Sequence, residues 1–174
     1  MLTHTQDYRT ADRYPQEATR FSADRVVLAL PRRSLELIEW RQWSRVRYRD
    51  AVLKQTAFKV FLGYHHPWWR ELGLYAGHSV KRELPEPYDH LYHDWSEDPF
   101  GGGWHGWKAG VCYHEAMPRM RKPLDDEQVY ICGSAYSNMH GWVEGALQTA
   151  ELVLEDHFGL DRPAWLDPGY RLGP

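Results

Sequence analysis

The sequence predicts an α/β fold in which helices and strands are mixed, and three observations carry that prediction. Two short apolar runs, Val26–Leu30 and Val129–Cys132, contain no polar residue. Such runs are typical of strands that are buried on both faces of a parallel sheet. A long helical pattern, Gly141–Phe158, follows the second run. Parallel strands are joined through helices, so we expect these pieces to belong to one sheet.

The first half of the chain predicts strand, helix and strand in that order. The first strand ends at Pro31, and residues 32–40 have the apolar spacing of a short amphipathic helix. We expect three of its side chains to point inward: Leu35, Ile38 and Trp40. Residues 57–64, AFKVFLGY, predict another strand, in which Lys59 is the polar exception.

Residues 65–123 are dominated by Pro, Gly, His and Trp and have poor periodicity, so they predict loops and short strands. The final helix carries a continuous apolar stripe that we expect to face the core: Val143, Leu147, Ala150 and Leu154. The Pro- and Gly-rich tail, 161–174, is expected to lie over the surface.

Composition excludes several functional classes. The 174 residues suffice for one domain with a core, and no apolar run approaches the length of a membrane span. The polar N-terminus lacks a signal-peptide core, so we expect a cytoplasmic protein. A net charge of −3 favours neither nucleic acid nor an anionic membrane as a partner. Cys112 and Cys132 have no metal-site or disulfide spacing, and Cys132 should be a buried apolar residue.

Two short motifs fit known binding patterns, one for a dinucleotide and one for a metal, but their sequence context favours loops. The segment GGGWHG, 101–106, fits a dinucleotide-binding pattern, and acidic residues follow roughly 20 residues later. However, no apolar strand precedes it and no helix start follows, so we interpret it as a loop whose glycines let the backbone approach something flat. His90, His93 and Asp94 could ligate a metal, but without a helical frame we favour solvated side chains.

The stretch VYICGSAYSNMHGWVEGALQTA, 129–150, has the better context. Its strand is followed by a tight turn at Gly133, and Ser137 or Asn138 could cap the next helix. Gly141 and Gly145 would let that helix approach a ligand closely. Because a helix N-terminus stabilises negative charge, this turn is a candidate anion-binding site.

This stretch resembles the C-terminal flavin-binding segment of the flavin-containing amine oxidase family, which includes monoamine, polyamine and L-amino-acid oxidases. Three further stretches resemble the family in the same order: ADRVVLALPRRSLELI, LKQTAFKVFLGYHHPWW and DWSEDPFGGGWHGWKAG. The resemblance implies the C-terminal part of a two-domain FAD-dependent fold. It begins partway through the family's chain, without the Rossmann unit that binds the ADP half of FAD.

The resemblance also implies a division of the chain. Residues 1–40 would be the returning strand and helix of the FAD domain, and 41–123 a substrate-domain segment with the Gly-rich loop. Residues 124–160 would be the last strand and helix of the FAD domain, before the tail 161–174. We expect a second chain to supply the missing Rossmann half. A truncated, inactive remnant is the alternative.

By resemblance, Lys59 matches the lysine that holds a water near the flavin, and Trp142 the aromatic wall of the substrate cavity. The alternatives are a snorkelling edge-strand lysine for Lys59 and ordinary core packing for Trp142. The implied FAD-contacting residues are Pro31, Trp104, His105, Gly133, Ser134, Gly141, Trp142 and Val143. Trp104 falls where covalent members carry a cysteine, so FAD should bind noncovalently. This sequence has Ser134 at the position where the family has a carboxylate residue. The segment between Lys59 and the Gly-rich loop is also shorter than in the family.

The implied function is oxidative deamination of an L-amino acid, in which FAD takes a hydride and O₂ is reduced to H₂O₂. Two alternatives stay open. One is oxidative decarboxylation to an amide, as in flavin amino-acid monooxygenases. The other is a noncatalytic interaction subunit of the same fold, which Ser134 and the shortened middle favour.

Overall fold

A computed structural model describes residues 21–75, 84–98, 101–170 and 172–173. The strands are β1 (Val26–Ala29), β2 (Val52–Gln55), β3 (Phe58–Gly63), β4 (Asp89–Asp94), β5 (Trp104–Trp107) and β6 (Val129–Cys132). The helices are α1 (Arg32–Leu37), α2 (Trp68–Glu71), α3 (Tyr113–Arg121) and α4 (Val143–Phe158), with 3₁₀ segments at Arg41–Arg45 and Ser134–Tyr136. Helices and strands are mixed along the chain, which confirms the predicted mixed α/β class.

The two apolar runs pair as predicted. β1 and β6 form a parallel ladder that runs from Val26 opposite Val129 to Ala29 opposite Cys132. β6 is largely buried, and Cys132 is a buried free thiol whose pKa is raised by burial. β1 is not buried on both faces, because Val27 remains 44% exposed. Within the described residues this sheet has two strands, so one edge of β1 and part of its surface are uncovered.

The inward face of α4 differs from the predicted one. Val143 is 74% exposed and Leu147 is 60% exposed, while Ala150 and Leu154 are half-buried. The buried side of the helix consists of small, polar and apolar residues: Gly145, Gln148, Thr149, Leu152 and Val153. Gly145 allows the closest approach, because an ideal Cβ there would lie 2.5 Å from the Met139 carbonyl oxygen. The buried face of α4 is therefore the one that allows close contact with neighbouring backbone, and not the one with the most apolar side chains.

The main core lies between α1, β2, α3 and β6, where Leu35, Val52, Met120 and Ile131 pack together. Leu35 points inward as predicted and Trp40 packs at the margin of this cluster, whereas Ile38 is exposed. α3 lies in a region that the sequence predicted as loops and short strands. Pro118 interrupts its pattern, yet the helix buries Ala116, Met117 and Met120.

Two antiparallel pairs complete the strands. β2 pairs with β5, and β3 pairs with β4 in what we call the hairpin (58–63 with 89–94). The Gly-rich loop lies against the connection between β2 and β3. An ideal Cβ at Gly102 would lie 2.8 Å from the Gln55 carbonyl oxygen, and one at Gly103 would lie 2.5 Å from the Ala57 Cβ. Gly102 thus admits the backbone of Gln55 and Gly103 admits the side chain of Ala57, where the sequence had predicted the approach of a flat ligand.

The C-terminal tail does more than lie over the surface. The Tyr170 hydroxyl donates to the Glu144 carboxylate and accepts a hydrogen bond from Gln148 Nε2 at 3.0 Å. Arg162 forms a bidentate pair with Glu155, with N–O distances of 2.8 and 3.2 Å. Leu172 is buried. The tail therefore contacts α4 both near its first turn and near its last turn.

Within the described ranges, no helix has both the length and the hydropathy needed to cross a membrane. The same residues contain no cluster of three or more His, Cys, Asp or Glu side chains that could hold a metal ion. In β4, successive side chains point to opposite faces of the strand, so His93 lies on the other face from His90 and Asp94. That geometry disfavours the metal interpretation of this segment.

Candidate functional site

The turn after β6 is built around Gly133, whose φ of +129° lies in a region that favours glycine. The Gly133 N–H donates to the Thr149 Oγ1 of α4 at 2.8 Å. This bond fixes the end of the strand against the helix. Because the Gly133 N–H is directed at Thr149, any contact of Gly133 with a ligand would have to use other atoms of this residue.

A cleft of about 230 Å³ opens where the two parallel strands end. It brings together three of the predicted residues, Pro31, Gly133 and Ser134; the rest of its lining is Ala29, Leu30, Ala135 and Ala146. The region beyond the carboxyl ends of parallel strands is where open α/β sheets bind ligands. An ideal Cβ at Gly133 would have Leu30 O as its nearest neighbour, 3.9 Å away, so this glycine leaves the space open.

The N-terminus of α4 presents Trp142 and Val143 to solvent, and no side chain caps it. The predicted caps are wrong. Ser137 is fully buried in the preceding turn, where its Oγ donates to the Ser134 carbonyl and accepts from the Met139 N–H. Asn138 forms no side-chain cap either. Glu144, in the first turn, is held by Tyr170 of the tail. An uncapped helix start of this kind stabilises a nearby anionic group.

Trp104 lies against the turn that leads into α4. Gly141 has a φ of +73°, and an ideal Cβ there would lie 2.2 Å from Trp104 Cδ1. The Trp104 indole N–H donates to the His140 carbonyl at 3.1 Å. The structure therefore brings Trp104, Gly141 and the adjoining Trp142 together, although they come from separate segments of the sequence.

His105 points to the other face of β5 and is only 4% exposed. Burial lowers its pKa to about 4, with further lowering by His140, Arg32 and Lys54, so its imidazole is neutral near pH 7. Its Nε2 has no hydrogen-bond partner among the described residues. Burial also lowers the pKa of His140, whose ring lies 5.3 Å from that of Trp107. His140 and Trp107 were missed from the sequence, where nothing distinguishes them from other aromatic residues.

Lys59 is exposed on β3 of the hairpin, opposite His93. Its Nζ lies 5.7 Å from the centroid of the Trp95 ring, a weak cation–π contact. Trp95 in turn adjoins the Gly-rich loop, because its carbonyl accepts the Gly102 N–H at 2.7 Å. The loop thus links Lys59 to Trp104, while Lys59 itself is part of the hairpin and not of the cleft.

An ion network that the sequence did not predict holds the first helix. Arg32 donates to Glu36, to Asp50 and to the Val52 carbonyl, which fixes the residue after Pro31 against β2. Arg33 makes a bidentate contact with Asp98, with N–O distances of 2.6 and 2.7 Å. The hydrogen bonds from Arg33 hold the pKa of Asp98 below its usual range. These contacts anchor both the Pro31 side of the cleft and the approach to the Gly-rich loop.

Comparison with known proteins gives one family and two relatives. Residues 75–153 match the family described as flavin containing amine oxidoreductase. Aplysianin-A of Aplysia kurodai is 43% identical over 88 residues, which cover 49% of this chain and 16% of that protein. Achacin of Lissachatina fulica is 31% identical over 88 residues, which cover 49% of this chain and 17% of that protein. The match thus spans about a sixth of each relative. The family match, residues 75–153, contains Trp104, His105, Gly133 and the start of α4, whereas Pro31 and Lys59 precede it.

Proposed function

We propose that this chain, whose residues 75–153 match the family described as flavin containing amine oxidoreductase, is one part of an FAD-dependent L-amino-acid oxidase. The reaction would convert an amino acid, O₂ and water into a 2-oxo acid, ammonia and H₂O₂. The observation that carries the proposal is the cleft at the ends of β1 and β6, beside the uncapped N-terminus of α4.

The described residues fit a flavin at this place. Gly133 leaves the cleft open, and the first-turn N–H groups of α4 can stabilise negative charge on a bound group. Pro31 and Ser134 would line the cofactor from opposite sides, and Ser134 would contribute one hydrogen bond where a carboxylate is usual. The bound FAD would supply the two-electron oxidation of the substrate's C–N bond. The cleft is small, so it would hold a portion of a dinucleotide.

The chain's own side chains would shape the substrate side. Trp142 is exposed beside the Trp104–Gly141 contact and would form an aromatic wall. His140, in that turn, and the buried His105 are neutral imidazoles near pH 7, so neither adds positive charge there. Lys59 would hold a water and assist proton transfer. That role requires the exposed ammonium to be covered when the substrate side is complete.

The rest of the FAD site would come from a second chain that carries a dinucleotide-binding strand, Gly-rich turn and helix. Noncovalent binding is part of the proposal, since Trp104 stands at the position of a linking cysteine. A noncatalytic subunit is the second candidate. It is favoured by Ser134 and by the commitment of the Gly133 N–H to Thr149.

The test is the visible spectrum and native mass of the chain purified alone and with the product of its neighbouring gene. We expect a yellow complex that an L-amino acid bleaches and that releases 2-oxo acid and peroxide. Ala146→Leu, which fills the cleft without backbone strain, should abolish the colour. Leu147→Met, on the exposed side of the same helix, should preserve it. A complex that stays colourless in the presence of FAD would contradict the oxidase proposal and support the noncatalytic subunit.

Two further readouts separate the finer parts of the proposal. Lys59→Met should slow flavin reduction or reoxidation while the cofactor stays bound, and unchanged turnover would show that Lys59 has no such role. Product analysis distinguishes the reactions, because release of an amide instead of a 2-oxo acid would identify a monooxygenase.

A further inference from the structure

The tail is bonded to the first turn of α4 through one hydroxyl group. The Tyr170 hydroxyl donates to the Glu144 carboxylate and accepts from Gln148 Nε2 at 3.0 Å. Glu144 and Gln148 are four residues apart, so they lie on the same face of the helix. The hydrogen bond with Glu144 is the main cause that raises the pKa of Tyr170, so the hydroxyl keeps the proton that it donates. One residue of the tail therefore fixes the position of the Glu144 carboxylate.

Tyr170 is itself held in place by its neighbours. Its carbonyl accepts a hydrogen bond from Arg162 Nη1 at 2.9 Å, and Arg162 is paired with Glu155 near the end of α4. Gln148, which donates to the hydroxyl, is only 5% exposed, and Leu172, two residues further along the tail, is buried. The hydroxyl thus has a defined position relative to α4.

The backbone at this end of α4 has donors that the helix itself does not use. The first N–H groups of a helix, here those of Val143, Glu144 and Gly145, have no intrahelical acceptor. No side chain among the described residues caps them. Together with the helix dipole, such donors attract negative charge. A carboxylate in the same turn is therefore the nearest competitor of an anionic ligand.

Glu144 supplies that carboxylate. Acidic side chains in the first turn of a helix stabilise it by bonding or facing its free N–H groups. In this structure the Glu144 carboxylate instead accepts the hydrogen bond of the Tyr170 hydroxyl. Without that hydroxyl, the carboxylate could turn towards the N–H groups of its own helix, where it would occupy donors and repel an anion.

We infer that Tyr170 is a positioning residue, which holds the Glu144 carboxylate against the tail and so keeps the first-turn N–H groups of α4 open to an anionic ligand. The inference rests on the proposed function in one respect, namely that this ligand is the flavin. It goes further because Tyr170 lies outside the residues that match the family, 75–153, and it gives the tail a part in the site.

Backbone NMR of the purified chain without flavin is the first test. In Tyr170→Phe at pH 7, the amide protons of residues 143–145 should shift downfield, as amides do when they donate to a carboxylate. Adding Glu144→Gln should remove most of this shift. Tyr48→Phe is the matched control, because the Tyr48 hydroxyl donates to Glu115 on α3 at 3.1 Å and its loss should leave the α4 amides unchanged. Unchanged α4 amides in Tyr170→Phe would overturn the inference.

The affinity of the complex for FAD is the second test. Tyr170→Phe should weaken FAD binding about two- to fivefold, which is the usual effect of one charge at a helix terminus. In the Glu144→Gln background the same substitution should have no effect, because no carboxylate is left to compete. Tyr48→Phe should bind FAD as the unmodified chain does. If the weakening persists in the Glu144→Gln background, Tyr170 only holds the tail in place, and the inference would be overturned.

The two tests also separate this inference from the oxidase. If no form of the complex binds FAD while the amides of 143–145 respond to Tyr170 and Glu144 as described, the oxidase is refuted and the positioning of Glu144 stands. If the complex binds FAD equally well with and without the Tyr170 hydroxyl, the role of Tyr170 is refuted and the oxidase stands.

Discussion

The region around β6 and the hairpin each contain a largely apolar strand, β6 and β3, and these two strands have opposite burial. Around β6, Tyr130, Ile131 and Cys132 are all buried, because α3 and α4 cover both faces of that strand. In the hairpin, Phe61 is 60% exposed, and Phe58 and Leu91 are similarly open. An apolar run therefore suffices to form a strand, whereas its burial depends on which elements lie beside it.

The two regions also differ in how they are tied to the rest of the molecule. The first is held by packing and by polar contacts such as those of Thr149 and Tyr170 with their neighbours. The hairpin is joined at one end, where the Trp95 N–H donates to the Ala57 carbonyl and the Gly-rich loop packs alongside. We therefore expect substitutions in the hairpin to cost far less stability than substitutions in the region around β6.

The largest expected effect comes from truncating one leucine in each region. Leu35→Ala removes a side chain that is 1% exposed in the main core, and it should lower the free energy of unfolding by about 2–5 kcal/mol. Leu91→Ala removes a side chain that is 57% exposed, and it should change that free energy by no more than about 0.5 kcal/mol. Urea unfolding of both variants measures the difference. Equal losses would mean that the hairpin is buried in solution, which would break the comparison.

A somewhat smaller effect concerns pH and His105. The folded-state pKa of about 4 lies below the ordinary 6.5. As pH falls through 6.5, the unfolded chain takes up the proton first, so stability is complete above about pH 6.5 and declines towards pH 4. The contribution of His105 to this decline should be about 3 kcal/mol.

Unfolding measured between pH 7 and 4 tests this expectation. His105→Gln should flatten the decline, while His90→Gln, on the exposed hairpin, should leave it unchanged. His140 and His157, whose pKa values burial also lowers, will sustain part of the decline. If the two variants show identical pH profiles, His105 is accessible to water and protons in the folded chain.

The smallest expected effect is a difference in stability loss between alanine substitutions at two glycines, both of which have a left-handed backbone conformation. Gly141 has a φ of +73° and faces Trp104, while Gly73, which follows α2 between β3 and β4, has a φ of +66° and nothing within 4 Å of its ideal Cβ. Alanine strains the backbone equally at both positions, so the Gly141→Ala loss should exceed the Gly73→Ala loss by about 1–3 kcal/mol, through overpacking alone. Chemical unfolding of the pair gives this difference. An equal loss would show that Trp104 moves away freely.

Much of the secondary structure could be predicted because its signals are local. The runs at 26–29 and 129–132 are apolar without interruption, and the pattern from 143 to 158 is long and ends at Gly159 in a left-handed conformation. α3 could not be predicted, since Pro118 and its charged neighbours mask the few residues that it buries. The inward face of α4 was predicted wrongly, because its apolar stripe marks an open flank and its buried side depends on Gly145 and Thr149.

The sequence by itself determined where the strands and the long helix lie, the glycine turn between β6 and α4, and the family resemblance of that turn. Only the tertiary structure decided which segments share a site. It placed Pro31 beside Gly133, set Trp104 against Gly141, buried His105 and left Lys59 on the hairpin. The physical reason is that backbone conformation follows from neighbours in sequence, whereas burial, pKa and cleft geometry depend on strands that pair across about a hundred residues.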